Sequence, residues 1–186
     1  DKFEGMDINT WTTQIDQTTN DFKKSFGSFR AAELNWKPDS KTWSIAQNID
    51  HLIVINESYY PVIKSIRSGH YKLPFIARFP FLVSFLGKTI LNSVQPDRKR
   101  KIKTFPIWEP ATSEIGGDII QRFEKHQDEF KQLIRSSQDL LARGIVISSP
   151  ANKNIVYKLE IAFDIIVAHE QRHLEQAREI ARLLNR

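Results

Sequence analysis

The stretch AHEQRHLEQ, residues 168–176, sets His169 and His173 four positions apart with Glu170 between them. On a helix, residues four apart share one face, so two neutral imidazoles there can offer lone pairs to a single metal ion. The residues His169 to His173 also spell H-E-x-x-H, in which zinc proteases use the two His as ligands and the Glu as general base. The rest of that pattern is missing. Its long form continues to a Gly and a third His, where this chain has Gln176 and Glu179. A form with a downstream Glu on a separate helix fails as well, because only thirteen residues follow His173. A third ligand must come from upstream, and general endoprotease activity is not expected.

His51 is the candidate. It lies on an inward stripe, one turn after Asn48 and one turn before Ile55. A lone inward His is usually a core residue satisfied by hydrogen bonds. An inward pair with a third His on a facing helix favours a metal site of His51, His169 and His173, with open positions for water or substrate. His70 and His126 read as surface or packing residues. Asn48 is placed to orient a ligand or to satisfy a buried hydrogen bond. Glu170 sits about 100° around the helix from His169, which suits a salt bridge or a contact behind the ligands better than a general base. Asp50 and Gln176 are weaker candidates for such supporting contacts.

Four amphipathic segments must position these residues. Ile8, Trp11, Ile15, Phe22, Phe26 and Phe29 recur at helical steps, with Thr18 and Thr19 filling a gap. A second segment opens at Ser44, whose partner Gln47 completes a capping box. It runs through Ile45, His51, Leu52, Ile55 and Tyr59 to Pro61 or shortly beyond, the Pro kinking or ending it. A third spans about Ser113 to Leu141, its first turn weakened by Gly116 and Gly117. The fourth spans about Tyr157 to Leu184. The fold class is therefore all-α, a four-helix bundle in a single domain over residues 1–186. The connection of residues 68–112 is too long to be structureless, and a short helix is expected at 81–93. The link 143–154 has room for a small extended piece around GIVIS.

Composition narrows the function classes. The 186 residues include no cysteine, which excludes disulfides, thiolate nucleophiles and Cys-ligated metals. That fits a reducing compartment, and with no signal-peptide pattern at the start a cytoplasmic protein is expected. The longest apolar region, 74–87, is too short for a membrane span and contains Arg78 and Pro80. The net charge of +5 includes the run RKRKIK at 98–103. Such runs are usually solvated, and nucleic-acid binding is not expected.

Three pieces in order now carry a resemblance. WSIAQNIDHL (43–52) is similar to the second-helix motif of the DinB-like (DinB/YfiT) superfamily of metal-dependent enzymes, and IIVAHEQRHLEQAREI (165–180) to its last-helix motif. A first helix and a long crossover complete the order across nearly the whole chain. The resemblance implies an up-down-down-up bundle, a metal held by His51, His169 and His173, and a homodimer. It also implies chemistry on a small-molecule substrate, since its members include S-transferases and isomerases that use low-molecular-weight thiols; an ion on three neutral histidines would activate either a water for hydrolysis or such a thiol for S-transfer. Zinc or nickel is expected first, iron or manganese after them. The long insertion between helices 2 and 3 departs from shorter members. Two rival classes stay open: a non-catalytic protein whose metal only staples the bundle, and an interaction module working through the basic run and the aromatic insert.

Overall fold

A computed structural model describes residues 7–97 and 103–185. Helix α1 (Ile8–Phe26) is capped by Asp7, whose carboxylate accepts from Thr10 N–H at 2.7 Å. A short helix α2 (Ala31–Asn35) follows, which the periodicity does not anticipate. Helix α3 (Ile45–Glu57) starts at the expected capping box: Ser44 Oγ accepts from Gln47 N–H, and the Gln47 side-chain oxygen accepts from Ser44 N–H. The segment does not stop near Pro61. It is interrupted at Ser58 and resumes as α4 (Tyr59–Arg67), where Pro61 has no N–H for the Glu57 carbonyl and its ring crowds that oxygen.

In the long connection, a 3-10 turn (Phe75–Arg78) leads into α5 (Pro80–Ser93), close to the helix expected at 81–93. A second 3-10 turn follows at Pro106–Trp108. Most of the basic run lies outside the described residues; Lys103 is within them. The third long helix, α6 (Ile119–Ser136), begins six residues later than Ser113. Asn35 explains the delay: its side chain bonds both the N–H and the C=O of Ile115, at 2.9 and 2.8 Å, holding that residue out of a helix. After Ser137 the chain forms α7 (Gln138–Ala142).

The expected extended piece is half of a hairpin. Strand β1 (Val146–Ser149) pairs antiparallel with β2 (Asn152–Lys158), matching Ile147 to Tyr157 and Ser148 to Val156. Tyr157 thus belongs to a strand rather than to the last helix, as suits a run of Ile155, Val156 and Tyr157. Helix α8 (Leu159–Leu184) starts where Leu159 N–H meets the Ile145 carbonyl. The protein is mostly helical with this small sheet, which the all-α expectation lacked.

Helix α1 packs on α6 and α8, and α3 packs on the same two helices from the other side. The core divides into two clusters. One gathers Trp11, Ile15, Ile55, Phe130, Ile134, Phe163 and Ile166; the other gathers Phe22, Phe26, Ile49, Leu52, Ile119, Phe123, Leu174 and Ile180. Between them every long helix contributes polar groups: Thr18, Asn56, His126 and Gln127, Glu170 and the histidines.

Candidate metal centre

The site lies at this polar waist, where α3 faces α8. Capping fixes the start of α3, and His51 follows two turns in. His51, His169 and His173 each present a nitrogen, and the three nitrogens lie within 4.8 Å of one another. Ring centroids are 4.4 Å apart for His169 and His173, 4.7 Å for His51 and His173, and 5.2 Å for His51 and His169. The Trp43 ring stacks near His173 and packs at 4.7 Å from His51, closing one side.

Hydrogen bonds behind the rings determine which nitrogen is free. His51 Nδ1 meets the Trp108 carbonyl at 2.5 Å, and a carbonyl only accepts, so this nitrogen carries the proton. His173 Nδ1 meets Asn48 Oδ1 at 2.7 Å, while Asn48 Nδ2 donates to the Ser44 carbonyl at 2.8 Å. Both Nε2 lone pairs are left for an ion. His169 Nε2 and His173 Nε2 stand 3.0 Å apart, close enough to share one proton when no ion is bound or to face one cation together. Metal-bound histidines characteristically donate their other N–H to an oxygen in this way. The donor set therefore fits a divalent ion, and imidazole suits zinc, nickel, copper and iron alike.

Electrostatics keep the three histidines neutral. Burial lowers His51 to about 4, against the opposing hydrogen bond to Trp108 and the charge of Asp50. Burial also holds His169 and His173 well below the ordinary imidazole value, reinforced by the other rings and by Arg172.

Glu170 takes no part in the triad. Its carboxylate is buried and accepts from Asn56 Nδ2 of α3 and Gln127 Nε2 of α6, each at 2.8 Å. Burial raises it to about 7, while these two bonds pull the other way. Of the salt bridge or supporting contact expected for it, no salt bridge forms among the described residues; two neutral amides hold the carboxylate. Asp50 accepts from Ala111 N–H at 2.9 Å and so pins the long connection to α3. Gln176 is exposed. His70 is exposed beside Ser68, and His126 is buried with its ring stacked on Phe130.

A cavity of about 80 Å³ adjoins the triad. His169 stands in its wall with Ile55, Ile165 and Ile166 from the bundle, Ile90 and Val94 from α5, and Phe105 and Trp108 from the connection. Its polar residues besides His169 are Ser149, Tyr59 and Tyr157, and the two tyrosine hydroxyls share a 2.8 Å hydrogen bond. Sequence reasoning missed Trp108 and these tyrosines. Trp108 acts through its backbone, which no side-chain pattern announces, and Tyr157 was assigned to a helix.

The chain belongs to the DinB superfamily, whose family model matches residues 14–177. Its structure is similar to that of YfiT from Bacillus subtilis, described as a probable metal-dependent hydrolase with an unusual four-helix bundle topology. The TM-score is 0.57 at 14% identity, over 100% of this chain and 93% of that one. At that identity the likeness is one of fold. No curated protein matches the sequence.

Proposed function

We propose that this protein is a metal-dependent enzyme of the DinB type in which His51, His169 and His173 hold a divalent ion, zinc or nickel ahead of iron or manganese. Hydrolysis of a small, largely apolar substrate is the favoured reaction, and S-transfer with a small thiol the second. The observation that carries this reading is the pairing of three convergent, neutral imidazoles with an adjoining apolar cavity. An ion bound there supplies a Lewis acid that lowers the pKa of water or of a thiol. The chain supplies the rest. Trp108 and Asn48 fix the tautomers of His51 and His173; the aliphatic wall excludes water and receives the apolar body of the substrate. Ser149 and the tyrosine pair offer hydrogen bonds to its polar end.

The staple reading is disfavoured because, among the described residues, no carboxylate joins the three-His cluster to close a fourth position. The same reading takes the chain as one domain over residues 1–186, with helices up-down-down-up and residues 68–112 as an insertion relative to shorter members. Its support is the placement of α1 and α3 on opposite sides of α6 and α8.

Metal analysis of protein purified without chelators or a nickel column is the primary test, followed by ester, amide and thiol-transfer assays with and without added ion. His51→Ala and His169→Ala are both expected to remain folded and to lose the ion and all metal-dependent turnover. Wild-type metal content in His51→Ala, with loss in His169→Ala, would replace the triad by a two-His site.

A further inference from the structure

The connection 68–112 carries an imbalance that neither the bundle nor the metal centre uses. It holds eight Lys or Arg against Asp97 and Glu109, a net +6, whereas the whole chain nets +5. The remainder of the protein is thus close to neutral, at −1. Arg98, Lys99, Arg100 and Lys101 enter only through this charge count.

The same connection displays phenylalanines. Phe75, Phe79, Phe81 and Phe85 are 67, 38, 68 and 64% exposed. Ring centroids are 5.4 Å apart from Phe75 to Phe79 and 6.2 Å from Phe79 to Phe81, and Phe85 follows one turn along α5. The opposite side of α5 is held firmly. Val83 and Gly87 are its buried residues, and a Cβ on Gly87 would meet Tyr157 and Ile161 at 3.1 and 3.2 Å. Helical geometry sets Phe81 and Phe85 about half a turn from Val83 and Gly87. A surface helix ordinarily carries polar residues there, and a contiguous exposed apolar patch marks an interaction surface. Cations border it: Arg78 lies 5.2 Å over the Phe75 ring, and Lys72 and Lys88 flank the patch in sequence.

We propose that this face docks on an anionic lipid surface, with Phe75, Phe79, Phe81 and Phe85 entering the interface and Lys72, Arg78 and Lys88 meeting the headgroups. Apolar side chains beside cations are the combination that an acidic bilayer surface binds. No helix among the described residues is long and apolar enough to cross a membrane, so the contact is interfacial. A second copy fits less well, since a twofold contact sets a surface against itself and would bring Lys72, Arg78 and Lys88 toward their own copies. Nucleic acid would answer the charge. Bases stack on open aromatic faces, however, and here Phe75, Phe79 and Phe81 pack edge to face with Arg78 over one ring.

The test is co-sedimentation of the full chain with vesicles of phosphatidylcholine alone, or with about one third phosphatidylserine. Binding should be at least about tenfold tighter to the anionic vesicles and should weaken as salt rises from about 0.05 to 0.3 M. The Phe81→Asp/Phe85→Asp double variant should lose about tenfold or more of that binding with an unchanged helical circular dichroism spectrum, since both side chains are already exposed. Lys72→Gln/Arg78→Gln/Lys88→Gln should weaken binding to the anionic vesicles alone. Absence of binding, equal binding to both compositions, or anionic binding indifferent to the phenylalanine changes would overturn the proposal. A wild-type dimer that dissociates in the Asp variant without vesicle binding would give the face to a second copy. RNA binding that depends on the same phenylalanines, with none to vesicles, would give it to nucleic acid.

Discussion

Asn48 shows how a residue outside the histidine cluster can set its geometry. Its amide oxygen receives the His173 Nδ1 proton while its nitrogen is committed to the Ser44 carbonyl, so the ring cannot take the other tautomer without losing a bond. Asn48→Leu should weaken metal affinity by about 10- to 100-fold with little change in fold, read by competition with a chromophoric chelator. Asn48→Asp keeps an acceptor for His173 and should recover most of that loss. Glu170 makes the opposite case. Both of its oxygens accept from amides, and a Gln there would turn one N–H₂ toward another. Glu170→Gln should therefore cost about 1–3 kcal/mol in urea unfolding yet leave metal affinity and casein indifference unchanged. Chelator-sensitive casein cleavage by wild type, lost in this variant, would restore the protease reading. His169 and His173 were legible in the sequence because the helical period alone stacks them, and His51 because it falls on a stripe of Leu52 and Ile55. Glu170's partners were not, since amides on two other helices leave no trace in the spacing around it.

At the scale of elements, the amphipathic helices were legible through their apolar periods, and their ends were not wherever tertiary bonds intervene. Asn35 delays α6 by claiming Ile115, and Leu159 starts α8 by meeting Ile145 across the hairpin. Helix α6 carries its own titration. His126 is buried, its Nε2 has no hydrogen-bond partner among the described residues, and burial lowers it to about 4. A group held neutral in the fold gives stability that is complete above its unfolded value near 6.5 and is lost as pH falls toward 4. His126 should cost roughly 3 kcal/mol by the end of that window. His126→Leu should flatten the acid side of the stability profile between pH 6.5 and about 4, measured by urea unfolding at each pH, with the remaining slope due to the other buried histidines. An unchanged slope would mean that His126 is already solvated in the folded protein.

For the molecule as a whole, the ion would join α3 to α8, and Trp108 extends that join to the connection. An ion present at about 100 times its dissociation constant adds about 2.7 kcal/mol to a fold that binds it only when native, or about 5–10 °C in midpoint for a chain of this length. Chelation should remove that increment in wild type and have no effect in His51→Ala, followed by differential scanning calorimetry. The waist that holds the site also does something unrelated to metal. With apolar clusters above and below it, the bundle would be nearly as content if one helix slid along its axis by a turn. Such a slide of α8 would bring Leu174 to the place of Glu170 and leave Asn56 and Gln127 donating to nothing. The three-residue belt would then act as a vernier that favours one alignment of α3, α6 and α8. Replacing Asn56, Gln127 and Glu170 together by Leu should hold or raise the unfolding midpoint, as removal of buried polar sets often does, while amide resonances along α8 broaden into more than one species.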